Sequence, residues 1–126
     1  MSAPSATDIA NAVRGYLDAV ADGTATDIAA CFAEDATQED PVGSEPRQGR
    51  PAIQQFYSAI ESARRKTELV TLRVAGDSAA FHFVVTTEMD EHVVEIGVID
   101  VMTFDEQARI TSMRAYWNSD DVRVLR

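Results

Sequence analysis

Three turn-forming stretches, Gly76-Asp77-Ser78, Met89-Asp90-Glu91-His92 and Asp105-Glu106-Gln107, cut the second half of the chain into candidate strands. These are Thr67–Val74, Ala79–Glu88, Val93–Phe104 and Arg109–Asn118. Long strands joined by such short turns make an antiparallel meander, because a parallel partner needs a much longer crossover. Val93–Phe104 is apolar on both faces, so both are expected to be covered, one by helices and the other by a second subunit.

The first half reads as helical. Ser5 or Thr7 can cap a helix that runs to about Asp22, where Gly23 stops it. Ile9, Val13, Tyr16, Leu17 and Val20 recur at helical spacing and form one stripe. A shorter helix is expected over Thr26–Phe32, burying Ile28, Cys31 and Phe32. An extended piece, Ala36–Asp40, is halted by Pro41, and Val42–Gly49 reads as a loop. A third helix begins near Pro51, with Ile53, Phe56, Tyr57 and Ile60 as its stripe. Helices first and a curved antiparallel sheet second is an α+β layout. A sheet wrapped around helices makes a cone with a blind apolar pocket, suited to small apolar molecules.

At 126 residues the chain is expected to be one domain, 1–126, since two cores would each be too small to hold. Its 21 acidic residues against 11 basic ones leave a charge of −10, which disfavours nucleic acid and anionic membrane as partners. A single cysteine, Cys31, excludes an internal disulfide and a metal site built on several thiolates. No apolar run approaches the ~20 residues needed to span a bilayer. MSAPSATDIA has no basic region followed by a long apolar one, so a cytoplasmic location is expected.

Buried polar groups are the place to look for chemistry, because an unpaired one is costly. Asp100 sits in Gly97-Val98-Ile99-Asp100-Val101-Met102, the most apolar stretch of the chain. Alternation puts Ile96, Val98, Asp100 and Met102 on one face. A carboxyl there is expected to stay neutral and to offer an O–H donor; the plain alternative is a structural aspartate bonded to a turn. Tyr16 lies on the first helix's apolar stripe, so its phenol points inward, as either a donor or a packing residue. Asp40 ends its extended segment before Pro41; Asp-Pro is first a turn signal, yet strand ends at a pocket mouth also carry catalytic carboxylates. His82 reads as a strand residue and His92 as a turn residue, with no metal-ligand spacing, and Cys31 reads as core. Arg64-Arg65-Lys66 reads as a solvated helix end.

With these residues placed, the chain resembles the bacterial steroid Δ-isomerases (ketosteroid isomerases) of the cone-shaped nuclear-transport-factor-2-like, or SnoaL-like, superfamily. The similarity runs from about Ala10 to Asn118. Its strongest segments are Phe32-Ala33-Glu34-Asp35-Ala36-Thr37 with Glu39-Asp40-Pro41, and Gly49-Arg50 with Ile53 and Phe56-Tyr57. Further on come Val98-Ile99-Asp100-Val101-Met102 with Phe104-Asp105-Glu106, and Ala115-Tyr116-Trp117. The resemblance implies that Tyr16 is the catalytic tyrosine, Asp40 the general base and Asp100 the protonated aspartate. It also implies a homodimer and three N-terminal helices packed on the curved sheet. Two departures stand out. Position 32 is Phe where some members carry a second network tyrosine, which implies a shorter phenol chain around Tyr16 and Tyr57. The segment from Tyr57 to Val98 is shorter than in close relatives and places Arg64, Arg65, Lys66 and Glu68 near the expected pocket mouth.

The activity so implied is isomerisation of a 3-oxo-Δ5 steroid without metal, nucleotide or other cofactor. Val20, Phe56, Phe83, Val98, Met113 and Trp117 are the candidates for the apolar substrate-binding wall. Two rivals remain: a related cone-fold enzyme, such as a polyketide cyclase, acting on another enolisable ligand, and a non-catalytic module that binds a small apolar ligand. Asp100 distinguishes the last, since a binder has no need of a buried acid opposite an ionised one.

Overall fold

The computed structural model describes residues 3–126. Their elements run α1 (Ala6–Asp22), α2 (Ala25–Ala29), β1 (Phe32–Glu39), β2 (Arg47–Gln48), α3 (Arg50–Ser58), β3 (Arg64–Ala75), β4 (Ser78–Met89), β5 (His92–Phe104), β6 (Ile110–Tyr116) and β7 (Val122–Val124). The architecture is the expected α+β cone, three helices on a curved, unclosed sheet.

Ser5 caps α1 through a reciprocal capping box with Asp8. The expected stripe from Ile9 to Val20 is buried along its whole length. At Gly23 the chain turns so tightly that an added Cβ would lie 2.8 Å from the Ala19 carbonyl oxygen, so only glycine fits without a shift. Gly49, at φ 90°, leads into α3, whose first turn holds Pro51.

The second helix is shorter than expected and β1 starts earlier. Thr24 and Asp27 cap α2, which ends by Ala29. Phe32 is already extended and pairs with Ile110 of β6. Arg50 fastens this point, donating from Nε and Nη2 to the Phe32 carbonyl at 3.2 and 2.7 Å. Cys31 therefore lies in a turn, half-buried, rather than in a helical core face. The Val42–Gly49 loop contains the two-residue strand β2, paired to β1.

The sheet order is β2-β1-β6-β5-β4-β3, with β7 on β5. The meander from β3 to β6 is antiparallel as expected, while β1 lies parallel to β6. His82 lies in β4, and His92 opens β5 rather than sitting in the turn. Along β4 and β5 the residues Phe81, Phe83, Val98 and Met102 alternate into the core. α1 packs on β3 and β4, closing one side of the sheet, and α3 packs on β1. The outward row of β5 is not covered by the described residues: Ile99 and Val101 remain 48% and 36% exposed, beside an exposed Tyr116. Both faces of β5 are apolar, but the helices meet only one.

Arg64-Arg65-Lys66 is not a helix end. It opens β3, and Arg65 is buried. Its guanidinium donates to the Gly23 carbonyl, just after α1, and to the Ile60 carbonyl, just after α3, both at 2.6 Å. One cation thus satisfies two helix ends where carbonyls lack intrahelical partners. Arg65→Met keeps the stem and removes both bonds. It should lower the unfolding free energy by about 2–3 kcal/mol in urea titration; a loss under about 0.5 kcal/mol would mean that water serves these carbonyls equally well.

Candidate active site

The inner face of the sheet and the helices enclose a cavity of about 250 Å³. Tyr16, Asp40 and Asp100 all line it. So do all six wall candidates: Val20, Phe56, Phe83, Val98, Met113 and Trp117. Three different elements deliver the polar groups. Tyr16 comes from the α1 stripe, Asp40 from just beyond β1, and Asp100 from the middle of β5. Arg64, Arg65, Lys66 and Glu68 do not line the cavity. Tyr57, Ile60, Val85, Thr87 and Ile96 line it as well, and were not among the wall candidates. Strand alternation carries the signal for three of them, since Ile96 lies two residues from Val98, and Val85 and Thr87 continue the row of Phe83.

The two carboxyls have opposite surroundings. Asp100 has no exposed surface, and neither of its oxygens has a hydrogen-bond partner among the described residues. Its cross-strand neighbours are Phe81 and Ala115. Burial, reinforced by the negative charge of Asp40, pushes its carboxyl well above the usual aspartate range. Asp40 is only half-buried, and the Trp117 indole N–H donates to its Oδ1 at 2.8 Å. Burial raises its carboxyl too, but the indole bond and the Arg47 guanidinium pull in the other direction. Arg47 itself is stacked 4.0 Å above the Phe56 ring. Trp117 was proposed only as apolar wall; its bond to Asp40 arises because β6 ends at Tyr116 and the chain leaves the sheet there. Glu39, the neighbouring carboxylate, faces away and pairs with Arg114 at 3.2 Å.

The phenols form a connected group. Tyr16 Oη and Tyr57 Oη lie 2.6 Å apart, and Gln38 Nε2 donates to Tyr57 Oη at 2.9 Å. Met113 Sδ lies 3.7 Å from Tyr16 Oη and 3.9 Å from Tyr57 Oη. Burial raises both phenols well above the usual tyrosine range, with nearby carboxylates adding to the effect. Phe32 packs edge-on against Tyr16, with ring centroids 6.0 Å apart, and contributes no hydroxyl. The hydrogen-bonded chain therefore ends on an amide. Gln38 was overlooked in the sequence, although it lies two residues before Asp40 on the same strand face.

Chemically, this arrangement offers a half-buried carboxyl with a donor beside it, a fully buried carboxyl favoured in its neutral form, and two phenols around an apolar space. No cluster of three or more His, Cys, Asp or Glu placed to hold a metal occurs among the described residues. None of the described helices is long and apolar enough to cross a membrane.

Asp100 makes the protein's stability depend on pH in a definite direction. In the unfolded chain its carboxyl ionises near the ordinary value of about 3.9. In the native state it holds its proton to a higher pH. Between those two points the native state binds more protons, so stability falls as pH rises. Asp100→Asn removes that contribution. Its melting temperature relative to wild type should increase between about pH 5 and about pH 8. A difference that stays flat over this range would mean that the buried carboxyl is already ionised.

The chain is similar to known proteins over most of its length. The family described as a SnoaL-like domain matches residues 13–113. The chain is 48% identical, over 117 residues, to a protein of Nocardioides simplex named steroid Delta-isomerase; the match covers 93% of this chain and 95% of that one. It is also similar to the solved structure of SalBIII, an epoxide hydrolase/cyclase-like enzyme of pyran ring formation in the polyether salinomycin. That likeness has a TM-score of 0.86 and 29% identity, covering 94% of this chain and 96% of the other. From the matched span, the identity and the shared cone, the chain belongs to the SnoaL-like family.

Proposed function

We propose that the protein is a cofactor-independent steroid Δ5-Δ4 isomerase, moving the double bond of a 3-oxo-Δ5 steroid into conjugation with its ketone. The observation that carries this reading is the contrast between Asp40 and Asp100 in one cavity. Asp40 has a donor that favours its charged form, and Asp100 has none among the described residues. The reaction needs both kinds of carboxyl.

Ionised Asp40 takes a proton from the carbon between the carbonyl and the alkene. The electron pair moves toward the carbonyl oxygen and gives a dienolate. Tyr16 and protonated Asp100 each donate a hydrogen bond to that oxygen, where the negative charge develops. Asp40 then returns the proton to the far carbon of the conjugated system. Val20, Phe56, Phe83, Val98, Met113 and Trp117 pack against the flat hydrocarbon and keep water from the dienolate. Every step as written is a proton transfer or a hydrogen bond, so none calls on a cofactor. The likeness to SalBIII supports a second reading, a cyclase-type reaction on another enolisable ligand in the same cavity.

This reading includes a homodimer formed through the outward face of the sheet. Exposed Ile99, Val101 and Tyr116 give that face the apolar character of an interface. It also includes a cytoplasmic location, where the lone Cys31 would stay reduced.

The direct test is ultraviolet detection of the conjugated enone formed from 5-androstene-3,17-dione, without added metal or nucleotide. Absence of turnover above buffer at high protein concentration would favour the cyclase reading. Asp40→Asn keeps the shape and removes the proton acceptor, so kcat should fall by at least ~10²-fold with steroid affinity kept. In the wild type, kcat/KM should decline on the acid side with an apparent pKa above the ordinary aspartate value, because burial raises Asp40. Sedimentation should show a dimer at micromolar concentration; a stable monomer would separate the activity from the proposed assembly.

A further inference from the structure

We propose that Gln38 is a positioning residue, whose amide N–H sets the direction of the Tyr57 and Tyr16 protons so that Tyr16 donates into the cavity. The inference rests on the isomerase reading for what Tyr16 donates to, but its geometry does not depend on the substrate.

The argument is a count of protons. Tyr16 and Tyr57 each carry one hydroxyl proton, and their oxygens share a single 2.6 Å contact. Either phenol can be the donor in that contact. If Tyr16 spends its proton on Tyr57, it faces the cavity as an acceptor only and cannot stabilise a developing negative charge. The pair by itself has no reason to choose the useful order.

Gln38 supplies the reason. Nε2 carries only donors, so in its 2.9 Å contact the Tyr57 oxygen must accept. The second lone pair of that oxygen could still accept from Tyr16, but an oxygen that already accepts one bond is a poorer second acceptor and a stronger donor. The Tyr57 proton can go to Tyr16 Oη at 2.6 Å, to the Met113 thioether at 3.9 Å or to the cavity that Tyr57 also lines. The thioether is a weak acceptor at long range and Tyr16 Oη is already in contact, so the order with Tyr57 donating to Tyr16 is the one Gln38 favours. The Tyr16 proton in turn has only Met113 Sδ at 3.7 Å and the cavity. A substrate oxygen in the cavity outcompetes sulfur. Each bond polarises the next, so donation from Gln38 also strengthens the final one.

A purely structural role does not account for this side chain well. Gln38 has no exposed surface, and its Oε1 has no partner among the described residues. Leaving a buried amide oxygen unpaired is destabilising, and an apolar residue of similar size would avoid it. On β1 it stands directly beside Met113 of β6, where that apolar neighbour would pack equally well. The amide stands at a position where an unpaired acceptor costs stability.

The variants are Gln38→Met, Tyr57→Phe and the double variant. Gln38→Met should melt no lower than wild type, since it removes an orphaned acceptor. Its kcat should fall by about 3–10-fold with KM unchanged, the size of one neutral hydrogen bond acting through a relay. In the Tyr57→Phe background the same change should have no further effect, because Gln38 acts only through that hydroxyl. A packing role would lower kcat equally in both backgrounds and overturn the proposal. An unchanged or faster Gln38→Met would overturn it too, since it would mean that the amide oxygen, not the N–H, faces Tyr57. A second readout needs no turnover. The ultraviolet spectrum of bound 2-naphthol reports how much of it is held as the anion. Gln38→Met should reduce the anionic fraction in the Tyr57 background and leave it unchanged in Tyr57→Phe. If wild type fails to isomerise the steroid while this pattern holds, the isomerase reading falls and the relay stands; if turnover is present and the pattern is absent, the reverse is true.

Discussion

A carboxyl group sealed among apolar side chains, with no hydrogen-bond partner among the described residues, is favoured in its neutral form, and the fold is less stable without that proton. Asp100 is that group, and much of the structure is arranged so that it can be tolerated. An ionised carboxylate there would lose its hydration and gain nothing in return. The neutral form loses much less and keeps a donor. The central position of β5 matters here. A mid-strand residue has its backbone held by ladders on both sides, from β4 and β6, so the side chain cannot swing out to water. An aspartate on a loop would simply turn to solvent and ionise. The rigid sheet keeps the carboxyl where burial favours its neutral form.

The same sheet explains how three polar groups meet. Asp40 and Gln38 lie on the same side of β1 and its extension, and Glu39 between them faces outward to Arg114. The parallel pairing of β1 with β6 puts Gln38 beside Met113, which in turn pairs with Met102 of β5. From there the cavity face continues to Asp100, two residues away. A shift of β1 by one residue against β6 would send Asp40 and Gln38 to the outer face and bring Glu39 in. The clamp from Arg50 to the Phe32 carbonyl opposes such a shift, and so does the bond from Gly49 N–H to the Ala36 carbonyl. Residues remote from the chemistry thus hold its register.

Some of this was legible in the sequence and some was not, for identifiable reasons. The stripe of α1 and the meander could be read because each follows a single strong period, and each buries one face. Asp100 could be singled out because a carboxyl in an apolar strand must find either a partner or a proton. Helix α2 and strand β1 were misjudged at their junction, where Ile28, Cys31 and Phe32 fit a helical stripe over one turn. The deciding contact there is Arg50, distant in sequence and invisible to local pattern. Arg65 was misread for a similar reason. A run of three cations in an acidic chain looks like solvated surface, and its two carbonyl partners lie after α1 and after α3. The Tyr16, Asp40 and Asp100 set was legible through resemblance to a family more than through any single residue. Gln38 had no such signal, because an amide inside a strand carries no motif and gains meaning only from the hydroxyl it touches.

The cavity is also graded along its length, and that gradient gives a ligand its orientation. Phe83, Val98 and Met113 are buried together with Tyr16, Tyr57 and Asp100, so the donors sit at the closed end. Val85, Thr87 and Ile96 are only partly buried, and Ala59 is exposed, so the other end meets solvent. An apolar ligand with one carbonyl gains by burying its hydrocarbon anywhere in this space, but its oxygen finds hydrogen-bond donors only at the closed end. The reverse orientation would strip water from the carbonyl without replacing the hydrogen bonds it lost. Asp40 lies partly buried between these extremes, held by Trp117 at the point where the chain leaves β6. In the proposed reaction a base in that position would act on the carbons next to a carbonyl bound at the closed end, and the indole N–H favours its charged form. Depth in one cavity therefore gives the two carboxyls different surroundings, and the acid and base that the proposed reaction needs would follow from where each lies along the cone.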